Sequence, residues 1–363
     1  MSETIYHQLA RVLDTLPNGF PSTKTGLEIE ILKMVFTPEE AEIFCDLTLT
    51  AETAEEIALR SGRSPDQLEE KLIEMEKRGE INCSRVDGRL TFRMLPWVVG
   101  IYERQLSRMT QGFARLCEDY NLVLGPQLLM NKPQLMRVLP VEIDIPVHQE
   151  ALPYDQVSHI LEGSQSFGVK DCVCNKAKHM IGEGCSKPKE VCMSISSAPD
   201  AFKDDPSTRK ISRQEALSIL QKAEDAALVH LTANTQENQT YICNCCSCCC
   251  PILGSVKMYN SSVTVNSSYI AEIDAERCDT CGVCKDERCQ VEAIISGSAS
   301  YQILEQKCIG CGLCIGTCPN EAIRMIEKQD TRQFPTPINE DDWLRQRGET
   351  RGVDYGDYLP SQS

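Results

Sequence analysis

The sequence predicts an α+β protein built from three successive modules, and three observations predict it. The first third carries apolar residues at helical spacing and then switches to strict alternation around an Asp-Gly pair. The middle holds ten cysteines in two groups that flank one amphipathic helix. Near the C-terminus two cysteine runs repeat a single pattern. A length of 363 residues suits two or three domains, and a hydrophobic content of 41% is enough to bury ordinary cores. The expected bounds are 1-120 for the helical module with its hairpin and a long helix, 121-150 for a linker, 151-262 for a cysteine-rich metal-binding α+β domain, 263-328 for the repeated cysteine module and 329-363 for a polar tail.

From Thr25, Leu27, Ile29, Ile31, Leu32 and Val35 predict a first helix. Thr37-Pro38-Glu39-Glu40 opens a second, with a threonine cap and proline at the first helical position. Ala54 to Arg60 makes a short third, closed by Gly62. Ser64-Pro65-Asp66-Gln67 reads as a capping box before a fourth, whose Leu68, Leu72, Ile73 and Met75 share one face. Residues 81-94 then alternate about Asp87-Gly88, a type I′ hairpin signal. This order resembles a winged helix-turn-helix domain, which implies a DNA-binding regulator. The helix that would enter the groove, however, carries Asp66, Glu69, Glu70, Glu74 and Glu76 against Lys71, Lys77 and Arg78. Residues 1-120 hold 14 Lys and Arg against 21 Asp and Glu, a local charge of -7, where phosphate contact needs the opposite. A protein-contact or packing module is the expectation, and the hairpin arginines Arg85, Arg89 and Arg93 keep the regulator as an alternative.

A longer helix is expected from about Trp97 to Tyr120, with Val98, Ile101, Leu106, Met109, Phe113 and Leu116 as its apolar stripe, a dimerisation or interdomain strut. LPVEIDIPV, residues 139-147, reads as an extended linker or edge strand.

In the middle module, Cys172, Cys174, Cys185 and Cys192 supply four thiolates with C-x-C-x10-C-x6-C spacing, a full metal shell. Cys243, Cys245, Cys246, Cys248, Cys249 and Cys250 place six more within eight positions, too many for packing and too many like charges without a cationic centre. A helix from Ser212 to about His230 separates the groups. The ten thiols are expected to bind metal, in the order of a third iron-sulfur cluster, two further clusters using both groups, a structural zinc, or an open site where a substrate is handled. His179 and His230 lie near the groups, and His230 reads as a satisfied helix-end histidine. Cys45, Cys83 and Cys117 read as core.

The C-terminal runs are Cys278, Cys281, Cys284 and Cys289 as C-x2-C-x2-C-x4-C, then Cys308, Cys311, Cys314 and Cys318 as C-x2-C-x2-C-x3-C-P. Two-residue spacers let one tight loop aim three soft sulfurs at one iron-sulfur centre. A zinc ribbon would instead use C-x2-C pairs separated by a longer loop. Residues 271-328 resemble the bacterial-type dicluster ferredoxins. The second run, KCIGCGLCIGTCPNEAI, fits the family pattern without a gap, whereas RCDTCGVCKDERCQVEAI has a four-residue spacer before Cys289 and Gln290 where the family has proline. The resemblance implies two 4Fe-4S clusters with crossed ligands: Cys278, Cys281, Cys284 and Cys318 on one, Cys308, Cys311, Cys314 and Cys289 on the other. It also implies single-electron transfer, with Val283, Ile294, Ile309, Leu313, Ile315 and Ile323 shielding the clusters.

Composition narrows the rest. The chain has no dinucleotide, P-loop, nucleophile-elbow or H-E-x-x-H motif, so flavin and nicotinamide are not expected. A net charge of -16 disfavours nucleic acid and anionic membrane and suits docking to a basic redox partner. No apolar window spans a membrane. The opening MSETIYHQLARVLD has neither a basic nor an apolar leader segment, so a bacterial or archaeal cytoplasm, reducing and anaerobic, is expected. The tail, with Trp343, Tyr355 and Tyr358, either folds on a partner or is disordered. Homo-oligomerisation is left open. The leading expectation is an iron-sulfur electron-transfer protein, a ferredoxin-like subunit or partner of an anaerobic oxidoreductase. The alternatives are an iron-sulfur redox-sensing winged-helix regulator, or a reductase with a catalytic metal site in the middle domain.

Overall fold

Threonine caps fix two of the early helix starts in the computed structural model, which describes residues 4-141, 156-202, 207-328 and 335-354. The chain divides into two units, residues 1-128 with 344-363, and residues 129-343.

In the first unit, α1 (Ile5–Thr15) buries Leu9, Ala10 and Leu13 and precedes the first helix expected from the sequence. Next come α2 (Leu27–Val35), α3 (Pro38–Cys45), α4 (Ala54–Ser61) and α5 (Pro65–Lys77). Thr37 and Glu40 form a reciprocal capping box on α3, as Thr53 and Glu56 do on α4, satisfying amides that helix geometry leaves without intrahelical partners. Ser64 caps α5 without a side-chain bond, so the expected box does not form there. The hairpin β1 (Asn82–Val86) and β2 (Arg89–Arg93) turns at Asp87 and Gly88, both at positive φ as a type I′ turn requires.

The long helix expected from Trp97 is interrupted. Val99 sits at φ 54°, and Asn18 Nδ2 donates to the Val98 carbonyl at 2.7 Å, which removes that acceptor from helical use. Short 3-10 turns follow, and α6 (Gln111–Met130) starts fourteen residues after Trp97 and takes up the first ten residues of the segment expected as linker. Four of the six expected stripe residues, Val98, Ile101, Met109 and Phe113, are buried, whereas Leu106 and Leu116 are half-buried. Phe20 packs on Tyr120 and Trp97 with ring centroids 4.9 and 5.4 Å apart. Residues of the expected tail form α11 (Glu340–Arg351). In this unit its Arg347 is fully buried, donating to the carbonyls of Pro17 and Leu128. Tyr355 and Tyr358 lie outside the described residues.

The second unit is built on a six-stranded antiparallel sheet of β3 (Met136–Leu139), β4 (Ser166–Asp171), β5 (Glu190–Ser196), β6 (Arg209–Ile211), β7 (Val229–Ala233) and β8 (Tyr241–Cys245), in the order β3-β7-β8-β5-β4-β6. Edge strand β3 takes the start of the segment expected as linker or edge strand, and residues 142-147 of that segment lie outside the described residues. Period-two alternation sends Phe167, Val169, Val191, Met193, Ile195 and Ile242 into a core with Ala216, Ile219, Leu220 and Ala223 of α9 (Arg213–Asp225). This helix stops before the expected His230, because Ala227 takes φ 54° and Val229 begins β7. Three shorter helices, α7 (Val157–Glu162), α8 (Val173–Met180) and α10 (Pro251–Met258), complete this part. Beyond them β9 (Tyr269–Ile273) pairs with β12 (Ile323–Glu327), and β10 (Ile294–Ser296) pairs with β11 (Tyr301–Ile303), both antiparallel. Mixed helix and sheet makes the chain α+β.

Candidate metal centres

The two C-terminal cysteine loops repeat one backbone. Thr280 and Gly310, each preceding the second cysteine of its run, take φ 57° and 58°; Gly282 and Gly312 take 91° and 79°; Glu292 and Glu321 take 55° and 46°. Gly310 has a further reason to lack a side chain, because a Cβ there would lie 2.1 Å from the Tyr269 carbonyl oxygen. Sulfur acceptors repeat as well. Cys289 Sγ accepts from the Ala293 amide at 3.2 Å and Cys318 Sγ from the Ala322 amide at 3.3 Å, while Cys308 Sγ accepts from the Ala271 amide at 3.4 Å. Such N–H···S bonds stabilise thiolate and tune a bound cluster.

The fourth cysteine of each run lies among the first three of the other. The thiols acting on Cys284 are Cys281, Cys278 and Cys318, and Cys314 faces Cys311, Cys308 and Cys289, with Cys284 beyond. Burial pushes Cys284 up to about 11 and Cys311 up to about 12, and raises Cys308 and Cys314 too. At neutral pH these sulfurs ionise only against a cation that displaces their protons, which is what an iron centre supplies. Ile309, Leu313, Ile294 and Ile323 are buried around them, whereas Val283 and Ile315 are half-buried.

The ten middle cysteines divide into two groups that do not follow the two sequence groups. Cys185, from the loop after α8, joins Cys246, Cys248 and Cys249 from the turn after β8, and all four sulfurs lie within 4.8 Å of one another. Individual separations are 3.8 Å for Cys185 to Cys246, 3.6 Å for Cys185 to Cys249 and 4.0 Å for Cys248 to Cys249. The other six are linked pairwise along β5, β8 and the starts of α8 and α10, with Cys172 and Cys174 also packed against the core that α9 covers. Lys170 on β4 pairs with Cys192 on β5, and the β5–β8 register, Met193 to Ile242, sets Cys192 opposite Cys243. Alternation adds Cys245, Cys172 and Cys174 bond each other at the start of α8, and Cys250 caps α10 and bonds Cys245. Hydrogen bonds from Cys192 and then Cys245, helped by Lys170, hold Cys243 well below the ordinary thiol range.

Two neighbours of these thiols were invisible as site residues in the sequence. Asn175 is buried and points its amide nitrogen at Cys185 Sγ (3.4 Å) and Cys249 Sγ (3.8 Å). Lys170 faces the thiol row through strand alternation two residues before Cys172. The histidines have other partners. His230 lies on β7 rather than at a helix end, between Asn244 and Glu224, and His179 Nε2 meets the Cys185 carbonyl. Cys117 is buried core, and Cys45 and Cys83 are half-buried.

A family model described as a 4Fe-4S binding domain matches residues 301–324, the stretch that holds Cys308, Cys311, Cys314 and Cys318. Neither the curated proteins nor the solved structures contain a match to the chain. Among the described residues no helix is long and apolar enough to cross a membrane. The chain therefore carries a ferredoxin-like iron-sulfur domain suited to at least one 4Fe-4S cluster and to electron transfer, joined to a second concentration of thiols whose spacing could hold a metal ion.

Proposed function

We propose that this protein is a cytoplasmic, two-cluster electron carrier that serves as a subunit or dedicated partner of an anaerobic oxidoreductase. One 4Fe-4S cluster is held by Cys278, Cys281, Cys284 and Cys318, the other by Cys308, Cys311, Cys314 and Cys289. The observation that carries this reading is the duplicated loop, in which Thr280 matches Gly310, Gly282 matches Gly312, and the sulfurs of Cys289 and Cys318 accept from amides four residues on. A chain that builds the same thiolate cradle twice is suited to two equivalent centres, close enough for electrons to pass between them. The middle thiols add metal to the same unit. The winged-helix-like module, with the acidic face of α5, acts as the protein-contact element.

Iron and acid-labile sulfide on protein purified without oxygen test this directly. Two clusters give about eight of each from these eight cysteines, and the reduced protein shows paramagnetic resonance from two interacting centres. Cys289→Ser should alter the cluster held by Cys308, Cys311 and Cys314 and with it the interaction between the centres, leaving the cluster held by Cys278, Cys281, Cys284 and Cys318 reducible. About four iron and four sulfide, with that variant indistinguishable from wild type, overturns the two-cluster reading.

A further inference from the structure

We infer that Cys185, Cys246, Cys248 and Cys249 form a mononuclear tetrathiolate site for one divalent d-block ion, zinc or ferrous iron, and not the ligand set of another iron-sulfur cube. Distance decides between them. An ion with sulfur about 2.3 Å away at tetrahedral corners sets neighbouring sulfurs about 3.8 Å apart. The separations of 3.8, 3.6 and 4.0 Å straddle that edge, and none of the four sulfurs is more than 4.8 Å from another. In a cube each cysteine binds a different iron, so the sulfurs stand much farther apart. The same chain provides the contrast: among the described residues no other three metal-ligating side chains gather within 4.8 Å, the eight ferredoxin-type thiols included.

The surroundings fit a closed single-ion shell. Cys246 and Cys249 are buried in the core beside α9, Cys185 is half-buried, and only Cys248 is exposed. The turn that presents three of them is closed by the Cys250 amide donating to the Cys246 carbonyl at 3.0 Å. Asn175, from α8, aims its amide at two of the sulfurs, the outer-shell donor expected where thiolate charge is concentrated. Zinc and iron share this chemistry, since both take four thiolates in a tetrahedron. The site draws on none of the eight cysteines assigned to the cubes, so it stands or falls apart from them.

Metal, sulfide and spectroscopic analysis of the full chain, purified without oxygen, tests the assignment. The expected result is either about one zinc per chain with four sulfurs near 2.3 Å in its absorption-edge fine structure, or a high-spin ferric signal of one isolated iron on mild oxidation. Cys246→Ser and Cys248→Ser should each remove that single ion and leave acid-labile sulfide unchanged, while Cys45→Ser leaves both unchanged. A loss of about four sulfides in the Cys246 or Cys248 variants makes the site a cube and overturns the assignment. So does wild-type protein that shows neither zinc nor the ferric signal, a readout that holds even if the variants fail to fold.

Discussion

The side-chain oxygen of Gln290 accepts a hydrogen bond from the Ser247 amide at 3.4 Å, joining the first C-terminal cysteine run to the turn that presents Cys246, Cys248 and Cys249. Gln290 stands where bacterial dicluster ferredoxins carry proline. The other departure from that pattern, the extra residue before Cys289, accompanies Arg288, which donates to the carbonyls of Leu313, Asp225 and Glu224. Both irregularities are thus contacts that fix the iron-sulfur module against the end of α9 and the middle thiols. An arginine cation also suits the carbonyls at a helix C-terminus.

Arg288→Ala should therefore cost more than Gln290→Pro. Three hydrogen bonds from a charged donor are at stake in the first, with an expected loss of about 1 to 3 kcal/mol, against about 0.5 to 1.5 kcal/mol for the single neutral bond in the second. Urea unfolding of the metal-loaded protein, followed by loss of cluster absorbance, gives the ranking. Equal midpoints for the two variants would show that Arg288 is not the principal tie.

Thr280 occupies a left-handed position that its counterpart Gly310 fills without strain. For a β-branched residue that backbone costs on the order of 1 kcal/mol, so Thr280→Gly should stabilise the loop by about that amount. The reverse exchange behaves differently, because a Cβ at position 310 would lie 2.1 Å from the Tyr269 carbonyl oxygen. Gly310→Ala should lower iron content or displace β9, whereas Thr280→Gly should retain full iron with a higher melting temperature. A stabilised Gly310→Ala would contradict the close approach.

Local chemistry explains what the sequence made legible. The cap at Thr37, the helix start at Ser212, the Asp87-Gly88 turn and cysteine spacing are all short-range signals, and each appears where its residues lie. The grouping of the ten middle cysteines was not legible, because it depends on strand register. Cys192 meets Cys243 only through the pairing of β5 with β8, and Cys185 reaches Cys246 across 61 positions. The break after Trp97 was hidden for a similar reason, since the acceptor at Val98 is claimed by Asn18, eighty residues earlier.

Glu80 supplies a pH dependence independent of any metal. It is fully buried, its Oε1 pairs with Arg78 at 2.6 Å and Arg108 at 3.3 Å, and its Oε2 has no partner. Burial, with a contribution from Glu40, outweighs the two arginines and raises its pKa from 4.5 to about 7. Across that window the folded chain holds a proton that the unfolded chain has released, so stability is greatest near the lower limit and falls as pH rises toward 7. The expected change is on the order of 1 to 3 kcal/mol. Glu80→Gln, which stays neutral, should flatten the slope. Urea midpoints between pH 5 and 8, read from Trp97 fluorescence in a Trp343→Phe background, measure it, and an unchanged slope in the glutamine variant would assign the effect to other groups.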